Sequence, residues 1–186
     1  TLLSIYCALQ LIKDKRVSDI MYIRSPVESS DSKIGFLPGD ADEKLKYYNL
    51  PFADKLDELL SKPSIESLNN QGRLQSHPLS FVRGMSWNCK AIILDEAQNC
   101  TQKEIVTLMT RIGEFSKCFI LADPDQSDLA FGKAGGFEKL QSIFCDEDSK
   151  ERGIYSFHFT EDDIKRSDIV KFIVKKLKTF SPALRV

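Results

Sequence analysis

The stretch Lys90–Asn99, KAIILDEAQN, constrains the fold of this chain more than any other. Its four consecutive apolar residues, Ala91–Leu94, are typical of a central strand that is covered on both faces in a parallel sheet. Asp95 and Glu96 follow directly, so they are expected where the strand ends, at the carboxyl edge where open α/β sheets bind ligands. The sequence therefore predicts two adjacent carboxylates at a potential binding edge.

Two interpretations of Asp95 and Glu96 are open at this point. In phosphoryl-transfer ATPases, an Asp at such a position holds Mg²⁺, and a following Glu orients or deprotonates the attacking water. Alternatively, the two acids only open a helix, where negative side chains favour the positive end of the helix dipole. The surrounding sequence favours the first interpretation.

Composition predicts one ordinary globular domain over residues 1–186. The chain is 42% hydrophobic and 28% charged, which is typical of soluble proteins. Its net charge of −1 neither supports nor excludes a nucleic-acid partner. The five cysteines are odd in number and form no CxxC pair, which indicates a reduced, intracellular protein. No apolar run approaches the roughly 18–20 residues of a membrane span, so no membrane partner is expected.

Thr1 stands directly before an apolar helical stretch, LLSIYCALQLI. In a phosphate-binding loop, GxxxxGK, a threonine or serine comes directly after the lysine and before such a helix, and its hydroxyl would ligate Mg²⁺. No such loop precedes Thr1, and the chain does not start with methionine. We therefore expect a domain that lacks its first strand and phosphate loop; the alternative is that Thr1 is an ordinary helix-start residue.

The next segments predict two strands joined by a long connection. Asp19–Ile23 is a short apolar strand that ends at Arg24, and residues 25–42 are predicted as a long ordered loop. Helical spacing follows at Phe52, Leu56, Leu59 and Leu60. A second strand is predicted at Leu79–Val82, with Arg83 directly after it.

A capped helix and a further strand follow the central stretch. Thr101 and Glu104 form a capping box, and the apolar spacing predicts a helix over 101–112. Cys118–Ala122 is the next apolar strand, and a parallel crossover would set residues 123–126 beside Asp95. Gln126 could there bond a phosphate oxygen or the attacking water, or it could belong to a polar turn.

The last third of the chain predicts a helix around residues 137–144, a strand at Gly153–Phe159 and an amphipathic terminal helix around residues 170–177. The lysines of that terminal helix form either a solvated face or a nucleic-acid contact. Arg166, at the entry to this helix, is positioned to reach a γ-phosphate.

The ordered motifs together resemble a known family. IRSPVE with GFLPGD, then FVRGMSWN, ILDEAQN, LMTRIG, DPDQSDL and EDDIKRSDIV occur in the order seen in PhoH-like proteins, which are RecA-type ATPases related to superfamily 1 helicases. The resemblance covers about residues 1–177. The serine of IRSPVE and Ala122 before Asp123 depart from the usual pattern, which suggests a divergent bacterial or viral member.

The resemblance implies a RecA-like P-loop NTPase fold, α/β with a mostly parallel sheet and helices on both faces, acting in the cytoplasm. It implies that Glu96, Gln126 and Arg166 act in catalysis and that Asp95 and Thr1 hold Mg²⁺. The residues it suggests for nucleotide binding are Thr1, Arg24, Arg83, Asp95, Arg111 and Asp123.

The function that the resemblance implies is Mg²⁺-dependent ATP hydrolysis linked to RNA, as a helicase or a ribonuclease-associated activity. A homo-oligomeric ring, of six subunits, is expected as the assembly. The alternative is a module that binds nucleotide or RNA without hydrolysis.

Overall fold

The computed structural model of the chain describes residues 1–24, 41–79, 82, 84, 86–123, 136–160, 163 and 167–178. The chain divides into two compact units, residues 1–143 and 144–186. Each unit is described by itself.

The first unit contains a four-stranded sheet in which all neighbouring strands are parallel. Its strands are β1 (Asp19–Arg24), β2 (Leu74–Pro78), β3 (Lys90–Asp95) and β4 (Lys117–Ile120), and their spatial order is β2-β1-β3-β4. This sheet, with helices against it, confirms the predicted α/β class.

Helices cover both faces of the sheet. On one face, α1 (Leu2–Lys13) and α2 (Ala41–Leu59) pack against one cluster of buried residues, with α3 (Lys62–Asn70) at its margin. On the other face, α4 (Gln102–Met109) and α5 (Gly136–Ile143) pack against a second cluster. The two clusters divide the side chains of β1 and β3 alternately, because successive residues of a strand point to opposite faces.

The central strand is β3, as its apolar run predicts. Ala91–Leu94 are fully buried, and β3 pairs with β1 on one side and with β4 on the other. In the register, Tyr22 of β1 lies opposite Ile93, and Arg24 lies opposite Asp95. The ends of β1 and β3 therefore reach the same edge of the sheet.

The capping box of α4 is confirmed in both directions. The backbone N–H of Glu104 donates to the Thr101 hydroxyl, and the backbone N–H of Thr101 donates to the Glu104 carboxylate. The helix ends at Met109, three residues earlier than predicted, and Ile112 instead forms an isolated parallel bridge with Trp87.

Several sequence-based predictions of elements are wrong. A strand is predicted at Leu79–Val82, but the strand of this region, β2, is formed by Leu74–Pro78. Leu79 and Val82 are buried and lie outside β2. The reason is that β2 is a half-buried edge strand, so its sequence, LQSHP, lacks an apolar pattern. The long loop was expected to reach residue 42, but α2 already begins at Ala41; residues 25–40 lie outside the described residues.

The first helix, α1, buries only part of its apolar sequence. Ile5, Ala8 and Ile12 pack against the sheet, but Leu3 is 59% exposed and Tyr6 is 48% exposed. A helix on one face of a sheet can bury only one of its own faces, so an all-round apolar sequence leaves some of its residues in contact with solvent.

The second unit contains α6 (Glu147–Glu151) and α7 (Asp168–Lys178). The strand predicted at Gly153–Phe159 is not formed: residues 154–160 have no regular structure, and Tyr155 and Phe157 are 63% and 78% exposed. Alternation alone does not make a strand, because the backbone needs a neighbour for its hydrogen bonds. Among the described helices, none has the length and apolar character needed to span a membrane.

Candidate functional site

The site is built around Asp95, the last residue of β3. Its side chain is on the same face as Ile93, toward α1 and α2, and the residue is only 5% exposed. Its carboxylate accepts hydrogen bonds from two hydroxyl groups, those of Thr1 and Tyr22. A buried carboxylate needs such donors, because a buried charge without hydrogen bonds is costly.

Thr1 reaches Asp95 across the fold. Its hydroxyl lies 3.0 Å from both carboxylate oxygens of Asp95, although the two residues are 94 positions apart in the chain. The side chain of Thr1 makes no capping hydrogen bond to α1, which it precedes. The interpretation of Thr1 as an ordinary helix-start residue therefore lacks the contact that defines a cap.

Tyr22 is a member of this cluster that the sequence interpretation missed. Its hydroxyl donates to Oδ2 of Asp95 at 2.6 Å, and its ring is fully buried. Burial and the neighbouring Asp95 charge raise the pKa of Tyr22, so the phenol keeps its proton and remains a donor. The signal in the sequence was the phenol oxygen of Tyr22 within the buried part of β1, DIMYIR, two residues before the strand ends and on the face of Asp95.

Glu96 leaves the line of β3 through an unusual backbone conformation. Its φ and ψ are 57° and 41°, in the left-handed region, which costs a residue with a side chain about 1 kcal/mol or more. The chain then enters a short 3₁₀ helix, Ala97–Asn99, and Glu96 makes no side-chain cap to it. The interpretation that Asp95 and Glu96 only open a helix therefore loses support. Backbone strain such as that at Glu96 is frequent at functional sites.

Two neighbours hold the Glu96 side chain. The Gln98 amide donates to Oε2 of Glu96 at 2.6 Å, and Arg24 Nη2 lies 3.7 Å from Oε1. Both partners of the ion pair are about one-third exposed, so water weakens their attraction. The structure thus brings Arg24 to the carboxyl edge, as its position at the end of β1 predicts.

Gln98 also links the ends of β3 and β4. Its side-chain oxygen accepts a hydrogen bond from the backbone N–H of Asp123 at 3.1 Å, while its amide holds Glu96. A second hydrogen bond links the same two strand ends: the backbone N–H of Ala97 donates to the carbonyl of Leu121. Asp123 is therefore placed beside the two acids, as the parallel crossover predicts. Gln98 was missed because a glutamine in a short turn has no periodic signal.

Arg111 is not brought to this cluster. It follows α4, and its carbonyl accepts the backbone N–H of Trp87, so it lies at the amino-terminal end of β3. The helix of a parallel crossover runs back against the strands, which carries its end to the opposite edge of the sheet. Within the described residues, the buried Nε of Arg111 has no hydrogen-bond partner. Arg83, Gln126 and Arg166 lie outside the described residues.

The oxygen atoms of Asp95 and Thr1 fit Mg²⁺. This ion usually takes one or two protein oxygens and completes its shell with water and substrate phosphates. In the described part of the chain, no group of three or more His, Cys, Asp or Glu residues could hold a metal by itself.

The architecture and the site together define the class of the protein. A parallel sheet with an Asp-Glu pair at the end of its central strand, and a threonine hydroxyl on that Asp, is the arrangement of a P-loop NTPase. Residues 1–178 match the family model described as PhoH-like protein. The chain belongs to the PhoH-like family, whose members are generally ATP-binding proteins.

Curated relatives agree with this assignment. The PhoH-like protein of Bacillus subtilis is 32% identical over 175 residues, which cover 94% of this chain and 53% of the relative. The PhoH-like protein of Synechocystis is 30% identical over 175 residues, with 94% and 52% covered. Protein PhoH of Escherichia coli is 31% identical over 141 residues, with 75% and 39% covered. The chain spans about half the length of the first two relatives.

Proposed function

We propose that the protein containing this domain binds ATP with Mg²⁺ and hydrolyses it. The observation that carries the proposal is the hydrogen bond from Thr1 to Asp95, with Glu96 directly beside it at the carboxyl edge. Thr1 and Asp95 would hold Mg²⁺, which offsets the negative charge of the nucleotide phosphates. Asp123, at the end of the neighbouring strand β4, would face the same nucleotide.

Glu96 would serve as the general base. A base must lie within hydrogen-bond reach of the water that it orients or deprotonates. The left-handed turn takes Glu96 out of the strand, and Gln98 and Arg24 fix its carboxylate from two sides. Gln126 would contact the γ-phosphate or the same water, and Arg83 and Arg166 would offset phosphate charge.

We also propose that hydrolysis is coupled to RNA, in a homo-oligomeric and hexameric ring in the cytoplasm. Arg111 supports the ring only indirectly, through its place at the amino-terminal end of β3, whereas Asp95 is at the carboxyl end. In a ring, it would act on the nucleotide of a neighbouring subunit, in the manner of an arginine finger.

The proposal is tested by measuring phosphate release in a protein in which a GxxxxGK loop is joined before Thr1. We expect Mg²⁺-dependent ATP hydrolysis that single-stranded RNA stimulates. The non-hydrolysing alternative predicts binding of labelled ATP without phosphate release. ATP turnover unaffected by RNA would leave the ATPase proposal in place and remove the coupling to RNA.

The domain is further proposed to have a strand before Thr1, at the open edge of β4. Crossovers between parallel strands are right-handed in nearly all proteins. The β1–β2 connection crosses the face that carries α2, and α1 packs on the same face. A strand that precedes α1 must therefore lie on the β3 side of β1, and the first position available there is beyond β4.

Amide hydrogen exchange is expected to reveal this edge. The N–H of Leu121 donates to Leu94, so by alternation Phe119 also faces β3, whereas Cys118 and Ile120 face the open side. In residues 1–186 alone, the amides of Cys118 and Ile120 should exchange faster than those of Phe119 and Leu121. Extending the chain upstream should slow exchange at Cys118 and Ile120 by about tenfold or more. Unchanged rates at both residues would place the additional strand elsewhere.

A further inference from the structure

Tyr22 has no part in the function proposed above, yet it makes the shortest contact with Asp95. Its ring stacks on Phe52 of α2, with ring centroids 4.8 Å apart and an angle of 4° between the planes. The tyrosine is fully buried, and Phe52 is 5% exposed. The stack therefore fixes the ring from the α2 side, and the hydroxyl is held toward the end of β3.

The contact with Asp95 has the length of a charge-assisted hydrogen bond. The Tyr22 oxygen lies 2.6 Å from Oδ2, and hydroxyl-to-carboxylate bonds of about 2.5–2.7 Å are the stronger class. Thr1, in contrast, lies 3.0 Å from both oxygens and so does not distinguish between them. Tyr22 is thus the group that holds one carboxylate oxygen of Asp95 toward β1.

We infer that Tyr22 is a positioning residue that orients the Asp95 carboxylate for Mg²⁺ and thereby sets the Mg²⁺ concentration at which nucleotide is bound. The inference rests on the proposed function of Asp95. With Oδ2 held by the phenol, Oδ1 is the carboxylate oxygen that Tyr22 leaves available for the ion, beside the Thr1 hydroxyl. Without the phenol, the carboxylate can rotate about its χ2 torsion, which has broad minima.

The Tyr22 phenol is a hydrogen-bond partner of Asp95, a proposed Mg²⁺ ligand, and its loss is expected to weaken Mg²⁺ binding. Substitutions of such partners typically weaken metal affinity by about 10- to 100-fold. Tyr22→Phe removes one oxygen and keeps the ring that stacks on Phe52. We expect the half-saturating Mg²⁺ concentration for binding of a fluorescent ATP analogue to rise by about tenfold, with little change in its binding without Mg²⁺.

The experiment uses the full-length protein and titrates Mg²⁺ into a fixed mixture of protein and N-methylanthraniloyl-ATP. Tyr6→Phe is the matched control, because Tyr6 is 48% exposed on α1 and is not among the described residues that donate to Asp95. Cooperative thermal unfolding of both variants shows that they are folded. In an Asp95→Ala background, Tyr22→Phe should have no further effect on the Mg²⁺ titration, because the carboxylate that Tyr22 holds is gone.

A measurement on the wild-type protein makes the test independent of how the variants fold. With tyrosine labelled by ¹³C at Cζ, adding Mg²⁺ to the nucleotide-bound protein should shift the Tyr22 resonance and leave that of Tyr6 in place. An unshifted Tyr22 resonance, or an unchanged Mg²⁺ midpoint in a folded Tyr22→Phe protein, overturns the inference. Absence of any Mg²⁺-dependent nucleotide binding in the wild-type protein would instead overturn the proposed function.

Discussion

Replacing Glu96 by glutamine in the full-length protein is expected to lower ATP turnover by about 100-fold or more while ATP binding persists. The size follows from the loss of a general base, which contributes about 10²- to 10⁴-fold. Glutamine has nearly the same shape, and its amide oxygen can still accept the hydrogen bond that Gln98 now donates to Oε2. The substitution therefore removes the basic group and leaves its surroundings in place.

Asp95→Ala is the contrasting substitution to Glu96→Gln, because Asp95 is proposed to bind Mg²⁺ and not to act as a base. We expect weaker binding of Mg²⁺ with ATP, measured by calorimetry, along with lost turnover. Glu66→Gln, on the exposed side of α3, is the control for changing a carboxylate to an amide and should behave as wild type. Turnover at the wild-type rate in Glu96→Gln would exclude Glu96 as the base.

Residues 1–186 expressed alone are expected to lack ATP hydrolysis. This polypeptide contains no GxxxxGK sequence, so it supplies neither the backbone cradle nor the lysine that hold the β- and γ-phosphates. We expect it to bind ATP weakly and to release phosphate no faster than buffer. Thr1 and Asp95 remain, but Mg²⁺ at such sites is held largely through the phosphates themselves.

The measurement compares phosphate release by residues 1–186 with release by a chain extended upstream through the loop. Circular dichroism and a cooperative thermal transition must first show that residues 1–186 are folded. Restored turnover in the extended chain is the expected outcome. Mg²⁺-dependent turnover by residues 1–186 alone, lost again in Glu96→Gln, would show that the domain does not need the loop.

Local patterns were sufficient where one segment defines its own structure. The apolar run of β3, the capping box of Thr101 and Glu104, and the strand-helix-strand order from β3 to β4 each depend on residues that are close in sequence. The predicted parallel sheet and the position of the two acids at its carboxyl edge follow from these patterns. The resemblance to PhoH-like proteins rests on the same short motifs, and the family match confirms it.

Patterns failed where burial or pairing depends on distant parts of the chain. Strand β2 has a polar sequence because it lies at an edge, whereas Gly153–Phe159 alternates well and has no regular structure. The resemblance suggests Arg111 for nucleotide binding, and the antiparallel course of α4 places it at the amino-terminal end of β3. The direction in which α4 returns follows from the parallel crossover, whereas sequence spacing does not contain the neighbours available to a strand.

The sequence alone determined the class of fold, the family and the position of Asp95 and Glu96 at the end of β3. Only the tertiary structure decided which groups surround that pair, because Thr1 and Tyr22 meet Asp95 across 94 and 73 positions of chain. Such contacts arise when α1 and β1 pack beside β3, and no local pattern records them. The left-handed turn at Glu96 is equally a tertiary result, since the fixed end of β3 and the bond from Ala97 to Leu121 hold the chain in a conformation that it would otherwise avoid.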